Sequence, residues 1–523
     1  MPTLRIGLTI SGAASLGAYE GGALAALLLA AQTAPEALVI DTIAGASAGA
    51  ITGLLAARCL VRGADPVAAM ATAWIDTPDL SVLLSHRGLA APLSNAPLTK
   101  AAQRLFGDGP DALADGPHRQ AAPVSLSVAI VCLGGLGYKI VGAGGTGSDR
   151  AIEATTYLDW YDHVFDGAST RADWLHGADA ALASGANAVG FPPVLFRRTP
   201  EEIVACEAAG LENVPTSAGT WYTDGGTIDN EPFGKLLDLI SDRDPGSDFR
   251  RILLSVQPTP TTTPGPSLWT NPDAQPRWAR TALRAFRLTS DQEIFEDLRA
   301  LVKTNTRLAW VDLLVDRLSS GLASALAGVE HGLEIEATLI EVLTGVIGEL
   351  DLAHREINEK LQRVPPEREP AQTDTFADAL RDAVHRATGL AGKMPAVVEV
   401  VSPALDPQHR PANELLAGEP LGHFFGFVDV TFRQSDFVLG WRHMRVWLDD
   451  ALPRYGLEAA VPAVDDALDG AYDALAFKDV QKGTASVRGL PFAEKLRLAE
   501  LGLRFSHVAE HDVRHWDDQI PLA

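Results

Sequence analysis

The sequence predicts an α/β protein, with a three-layer α/β/α sheet in its first half and helical and mixed additions after it. Three observations carry that reading. The chain has 523 residues, and at roughly 100 to 200 residues per domain this length accommodates two to four domains. From residue 1 to about residue 260, short apolar runs alternate with stretches of helical spacing, the pattern of a layered sheet. The composition, with 46% hydrophobic, 21% charged and 7% aromatic residues, is that of a folded globular chain.

The elements follow in order. Leu4 to Ser11 reads as a first strand and Leu16 to Ala30 as the helix behind it. Leu38 to Ile43 reads as a second strand and Ala48 to Leu60 as a second helix. Val124 to Leu133 and Tyr138 to Val141 read as two strands of a hairpin turning at Gly134 and Gly135. Trp221 to Thr223 is a short strand running into Asp224, and Arg251 to Val256 a last strand closed by Pro258 and Pro260. Thr259 to Ser267, TPTTTPGPS, suits neither helix nor ladder and reads as a linker. Leu, Val and Ile at three-and-four spacing predict long helices from Arg277 to Gln362, with an apolar stripe read as core. The segment Val364 to Asp374 breaks that block, and a helix to about Leu390, an apolar strand from Val397 to Val401 and a mixed region with a terminal helix follow. The chain thus divides into a first unit over 1–260, a helical region over 268–392 and a mixed α/β region over 393–523.

Charge and cysteine usage narrow the partners. Lys and Arg number 43 against 67 Asp and Glu, a net charge of −24. Phosphate neutralisation cannot hold such a chain on nucleic acid, and charge alone cannot hold it on anionic lipid. The three cysteines, Cys59, Cys132 and Cys206, are too few and too scattered for a disulfide framework, which fits a reducing compartment. The N-terminus carries no apolar leader region, and the apolar run Ala23 to Ala30 is well short of the roughly 20 residues that span a bilayer. A cytoplasmic protein is expected, with peripheral membrane contact through an exposed part of the helical stripe as a further possibility.

The strongest local signal is Gly45-Ala46-Ser47-Ala48-Gly49, a GxSxG set between a strand and a helix. A turn this tight admits only small residues beside the Ser and exposes its hydroxyl at a helix N-terminus, where a developing negative charge is favoured. A helix-packing turn with an incidental Ser is the alternative. Two further segments weigh against it. Ser11-Gly12-Ala13-Ala14-Ser15-Leu16-Gly17 is a small-residue loop that can aim several N–H groups at one point. Asp224-Gly225-Gly226 sets a carboxylate at a strand end, where it could take the proton of Ser47. Read alone, these two are a helix-opening turn and a surface turn.

With only 46 residues before Ser47, the several strands that precede the nucleophile of an α/β-hydrolase do not fit. The chain instead resembles the patatin-like phospholipases over most of residues 4–260. Ile10 to Gly22 is similar to that family's oxyanion loop and following helix, and Gly45 to Gly49 to its nucleophile motif. Ala183-Ser184-Gly185 with Phe191-Pro192-Pro193 looks like the segment preceding the acid, and Asp224-Gly225-Gly226 with Ile228 to Pro232 like the acid block. The resemblance implies a Ser47/Asp224 dyad needing no His, an oxyanion hole near the N–H groups of Gly12, Ala13, Ala14 and Ala48, and no cofactor or metal. It implies a lipid acyl hydrolase of phospholipase or lysophospholipase type, acting on a lipid or other acyl ester through an acyl-enzyme over residues 1–260. Acyl transfer on the same dyad, or a silent scaffold built on the helical half, are the alternatives. The oligomeric state is not legible.

The chain departs from the family where Ala13 and Ala14 replace glycines and Leu16 replaces a basic residue. Backbone donors survive that exchange only if the alanines keep negative φ. Phe425, Gly426, Phe427, Arg433, Asp436, Phe437, Gly440 and Arg442 resemble a C-terminal block of long bacterial members; by themselves they read as helix packing. Two other motifs carry less. Gly142 to Gly147 fits GxGxxG but lacks the helix and second parallel strand of a dinucleotide site. His507-Val508-Ala509-Glu510-His511 fits HxxEH, yet His515 lies two turns from His507, roughly 12 Å along a helix, so no third zinc ligand is expected.

Overall fold

The computed structural model describes residues 3–84, 91–141, 151–208, 210–212, 214–215, 218–243, 250–259, 278–360, 375–390, 395–483 and 489–514. Within them one mixed sheet is built from β1 (Leu4–Ile10), β2 (Leu38–Ala46), β3 (Val124–Val141), β4 (Ala151–Phe165), β5 (Val194–Phe196), β6 (Leu211–Glu212), β7 (Thr220–Asp224), β8 (Arg250–Val256) and β9 (Val397–Val401). The order is β5-β7-β3-β2-β1-β8-β9, with β4 and β6 also paired to β3. Strands β1, β2, β3, β8 and β9 run parallel, whereas β4, β6 and β7 are antiparallel to β3.

Alternation along β1 separates the layers. Ile6, Leu8 and Ile10 face a core shared with α1 (Gly17–Thr33) and α2 (Ala48–Arg62). Gly7 faces the other side, where an added Cβ would stand 2.6 Å from Ile240 of α4 (Phe233–Arg243); α3 (Arg171–Ser184) joins the first layer beside α2. The expected three-layer α/β/α arrangement results.

Helix α1 is apolar all round, and such a helix must be covered on every side. Its apolar stretch, Ala14–Thr33, is 20 residues, long and apolar enough to cross a membrane, but 89% of its most apolar window is buried inside the fold. It is longer than the Ala23 to Ala30 run read from the sequence because small residues and Tyr19 extend it. Its cover comes from α2 and from α8 (Val430–Arg454), four hundred residues downstream. The crossing works because glycines meet backbone: a Cβ on Gly22 or on Gly440 would stand 1.9 Å from the carbonyl oxygen of Phe437 or Tyr19 respectively.

Two expectations change. Gly134 and Gly135 do not turn a hairpin; β3 runs on through them, both flanks stay paired to β4, and the register shifts between Val131 and Leu136. Val131 pairs with Leu158 and Leu136 with Thr156, so 136 − 131 = 5 positions on β3 face 158 − 156 = 2 on β4. The glycines form a bulge, with Gly135 at φ 71°. Nor is β8 the last strand: Ile252 to Val256 pair in register with Val397 to Val401 of β9. Residue 260 therefore marks a change in sequence character and not the edge of the folded layer. The linker beyond Thr259 and the break from Val364 to Asp374 lie outside the described residues.

The helical block forms as α5 (Trp278–Leu326) and α6 (Gly332–Lys360), packed with α7 (Phe376–Thr388). Its stripe is only partly core. Leu308, Val311 and Val315 are buried with Leu390, and Leu301 reaches the sheet. Trp310, Leu313 and Leu333 stay exposed.

Candidate active site

One edge of β3 explains why two distant motifs meet. Strand β4 occupies the other edge from Val124 to Val131, so β2 and β7 share what remains. They approach from opposite directions and end on neighbouring residues: Ala46 pairs with Ala129, and Asp224 with Ile130. Whatever follows Ala46 must face Asp224.

Ser47 follows, at φ 52° and ψ −120°, a left-handed conformation costly for any residue with a Cβ. Its surroundings impose the turn. A Cβ on Gly45 would stand 2.5 Å from the carbonyl oxygen of Gly49, and one on Gly49 would stand 2.1 Å from that of Ile10, so neither position tolerates a side chain. The Ser47 N–H donates to Ser184 Oγ at 2.8 Å, and the Ser184 hydroxyl donates to the Ala129 carbonyl at 2.6 Å, tying the elbow to β3.

The Ser47 hydroxyl donates to Asp224 Oδ2 at 2.9 Å. Asn187 Nδ2 donates to the same oxygen at 3.1 Å and the Gly226 N–H to Oδ1 at 2.8 Å. The glycines after the acid have separate reasons: a Cβ on Gly225 would stand 2.0 Å from the Ala129 carbonyl oxygen, and one on Gly226 2.6 Å from Asn230 Oδ1. Ser47 is 7% and Asp224 3% exposed. Burial pushes the Asp224 carboxyl up to about 6, against the three hydrogen bonds from Gly226, Ser47 and Asn187 that hold it down.

The expected oxyanion loop needs one correction. The Gly12 N–H is taken, donating to the Asn230 carbonyl at 3.1 Å, while Asn230 Nδ2 donates back to the Gly12 carbonyl at 3.2 Å. Gly12 serves close approach instead, since a Cβ there would stand 2.9 Å from the Ser47 Cβ. Ala13, Ala14 and Ala48 open helical turns, where no preceding carbonyl reaches back, and no acceptor among the described residues takes their N–H groups. Ala13 has φ −144°, which any residue adopts, but Ala14 has φ 47°, so the expected negative φ fails at Ala14 and its N–H is presented at a cost in strain.

A cavity of about 900 Å³, counting its open mouth, reaches Ser47 and is apolar over nearly all its wall, with Ile51, Leu54, Trp74, Leu105 and Phe106 along it. Phe191 of the Phe-Pro-Pro segment lines it, as do Phe424 and Phe427 from the C-terminal half. Ser184, Asn187 and Asn230 are the residues whose site roles sequence reasoning missed. Ser184 and Asn230 stand inside quoted motif blocks, and Asn187 falls three residues after Ser184; their signal is position beside a motif, since none has a distinctive local pattern.

Residues 142–147 lie outside the described residues, and the strand that follows them, β4, is antiparallel to β3, unlike a dinucleotide fold. His507 is on α10 (Phe492–Arg514); the His511 side chain and His515 lie outside the described residues, and among those described no three metal-ligating side chains gather.

Residues 8–237 match the family model described as Patatin-like phospholipase. Among solved structures, the crystal structure of VipD from Legionella pneumophila is similar at 12% identity over 98% of this chain and 86% of that one, with a TM-score of 0.24, too low to carry any argument. No curated protein matches the sequence. The matched segment holds the elbow, the acid block and the loop between β1 and α1, so the similarity to the patatin-like phospholipases over residues 8–237 spans the residues of the candidate site.

Proposed function

We propose that the chain hydrolyses lipid acyl esters through a Ser47/Asp224 dyad. The observation that carries this is the 2.9 Å hydrogen bond from Ser47 Oγ to Asp224 Oδ2 at the wall of an apolar cavity. As Ser47 Oγ attacks the ester carbonyl carbon, its proton passes to Asp224 Oδ2, and the N–H groups of Ala13, Ala14 and Ala48 take the oxyanion. Collapse of the tetrahedral intermediate breaks the carbon–oxygen bond to the alcohol, which leaves with the proton from Asp224. Water then attacks the acyl-enzyme, gives its proton to Asp224 and frees the acid, and the proton returns to Ser47. A base near 6 suits this work, because it is ionised at neutral pH and still basic enough to accept a proton. The cavity wall, short of charge, matches an acyl chain. Leu16, where the resemblance leads one to expect a basic residue, is fully buried, so no cation meets a head group at that position.

The test is covalent labelling by a fluorophosphonate together with turnover of a p-nitrophenyl ester. Ser47→Ala abolishes labelling, and Asp224→Ala lowers kcat about 10²- to 10⁴-fold with circular dichroism unchanged. The double variant matches Ser47→Ala, because a base without its nucleophile has nothing to deprotonate. A folded Asp224→Ala chain with wild-type turnover refutes the dyad.

A further inference from the structure

The oxyanion loop is held from the far end of the chain. Ser15 follows Ala14 directly, is buried, and its hydroxyl is wholly engaged with the C-terminal half: it donates to the His423 carbonyl and accepts from the Gly426 N–H at 3.0 Å. The fit is close. A Cβ on Gly426 would stand 2.7 Å from Ser15 Oγ, and one on Gly418 would stand 3.1 Å from it and 3.0 Å from Leu16 Cδ2. The segment that receives Ser15 is itself pinned. Arg433, 2% exposed, donates to the Gly426 carbonyl at 2.9 Å and to the Ile75 carbonyl at 3.0 and 2.9 Å. Asp436, fully buried, accepts from the N–H groups of Ala417 and Gly418 at 2.8 and 2.9 Å.

Plain helix packing does not require this chemistry, since apolar side chains would fill the same space at lower desolvation cost. What the polar contacts add is direction: they hold one hydroxyl at one place, next to an alanine in the left-handed region. Such a conformation persists only where its surroundings over-determine it. We infer that Ser15 is a positioning residue, and that residues 417–436, through His423 and Gly426, set the oxyanion loop against Ser47. The inference rests on the hydrolase reading above. It gives the C-terminal block a role in catalysis: without Ser15 seated, the N–H groups of Ala13 and Ala14 lose their aim at the transition state while substrate binding in the cavity stays as it was.

The experiment compares wild type, Ser15→Ala and Gly426→Ala in the full chain, measuring kcat and KM on p-nitrophenyl butyrate and Ki for butylboronic acid. The boronic acid forms a tetrahedral adduct with an active-site serine and so reports the oxyanion hole. Ser15→Ala is expected to lower kcat roughly 10- to 100-fold, keep KM within about twofold and raise the boronate Ki by a factor similar to the loss in kcat. Gly426→Ala, which keeps the Ser15 hydroxyl but pushes it from the other side, is expected to lower kcat and raise the boronate Ki as well, and these two quantities are its readout because Phe424 and Phe427 beside it line the cavity. A smaller folded fraction would lower the apparent kcat and leave Ki unchanged, so a purely structural role gives a different signature and overturns the inference. So does a folded Ser15→Ala chain with wild-type kcat and Ki. If neither variant yields folded protein, the contact is a requirement of folding and the positioning role falls. A wild-type chain that neither turns over the ester nor takes a fluorophosphonate refutes the hydrolase reading itself, an outcome visible before any variant is made.

Discussion

At the scale of the residue, Asp224 sets a pH dependence with a definite sign. Its folded carboxyl titrates near 6, raised by burial, and in the proposed mechanism only the ionised form accepts the Ser47 proton. The rate constant kcat/KM on a neutral ester is therefore expected to fall tenfold per unit as pH drops below about 6 and to level off above it. The hydrogen bond from Asn187 favours the ionised form, so Asn187→Ala should move the acid limb to higher pH. A pH profile unchanged by that substitution would place the limb on another group. Ala14 gives a second residue-scale expectation. At φ 47° its Cβ is strained, and Ala14→Gly should raise stability in urea unfolding by about 0.5–1 kcal/mol, the relief exceeding the added freedom of the unfolded chain.

At the scale of the element, the crossing of α1 and α8 can be tested by two glycines that sequence alone would treat alike. Gly440 meets the Tyr19 carbonyl, and Gly440→Ala should cost about 3 kcal/mol, because backbone cannot yield to the new Cβ without parting two long helices. Gly470, inside the helix α9 (Val461–Ala474), has nothing within 4 Å of its virtual Cβ, and Gly470→Ala should stabilise by roughly 0.5–1 kcal/mol. Opposite shifts of the urea midpoint for the same exchange would verify the pair. The bulge in β3 carries the same lesson about local chemistry. Gly134-Gly135 suits a turn and a bulge equally, and pairing with β4 on both flanks decided for the bulge.

At the scale of the molecule, the layer containing the site is closed by segments that lie more than a hundred residues after its last N-terminal strand. Strand β9 covers the edge of β8, and α8 covers a helix that is apolar on every side. A chain ending at residue 259 would bare that edge and much of α1, and it is expected to accumulate as insoluble protein. Expression of the truncated chain followed by sedimentation checks this; a soluble, cooperatively unfolding fragment would contradict it.

What the sequence determined by itself are the features carried by a few consecutive residues. The strand–GxSxG–helix elbow at Ser47, the Asp-Gly-Gly after a short strand and the alternation of β1 and α1 all follow from local sterics and periodicity, and the structure has each in its expected place. Tertiary structure alone decided which groups are free to act. Gly12 and Ala13 look equivalent in sequence, yet Asn230 takes the N–H of the first. Asn187 reaches Asp224 only because α3 ends beside β7. The contact between Ser15 and Gly426 spans 411 positions. Hydrogen bonds over such separations depend on how whole layers stack, and that leaves no period or composition for a single sequence to display.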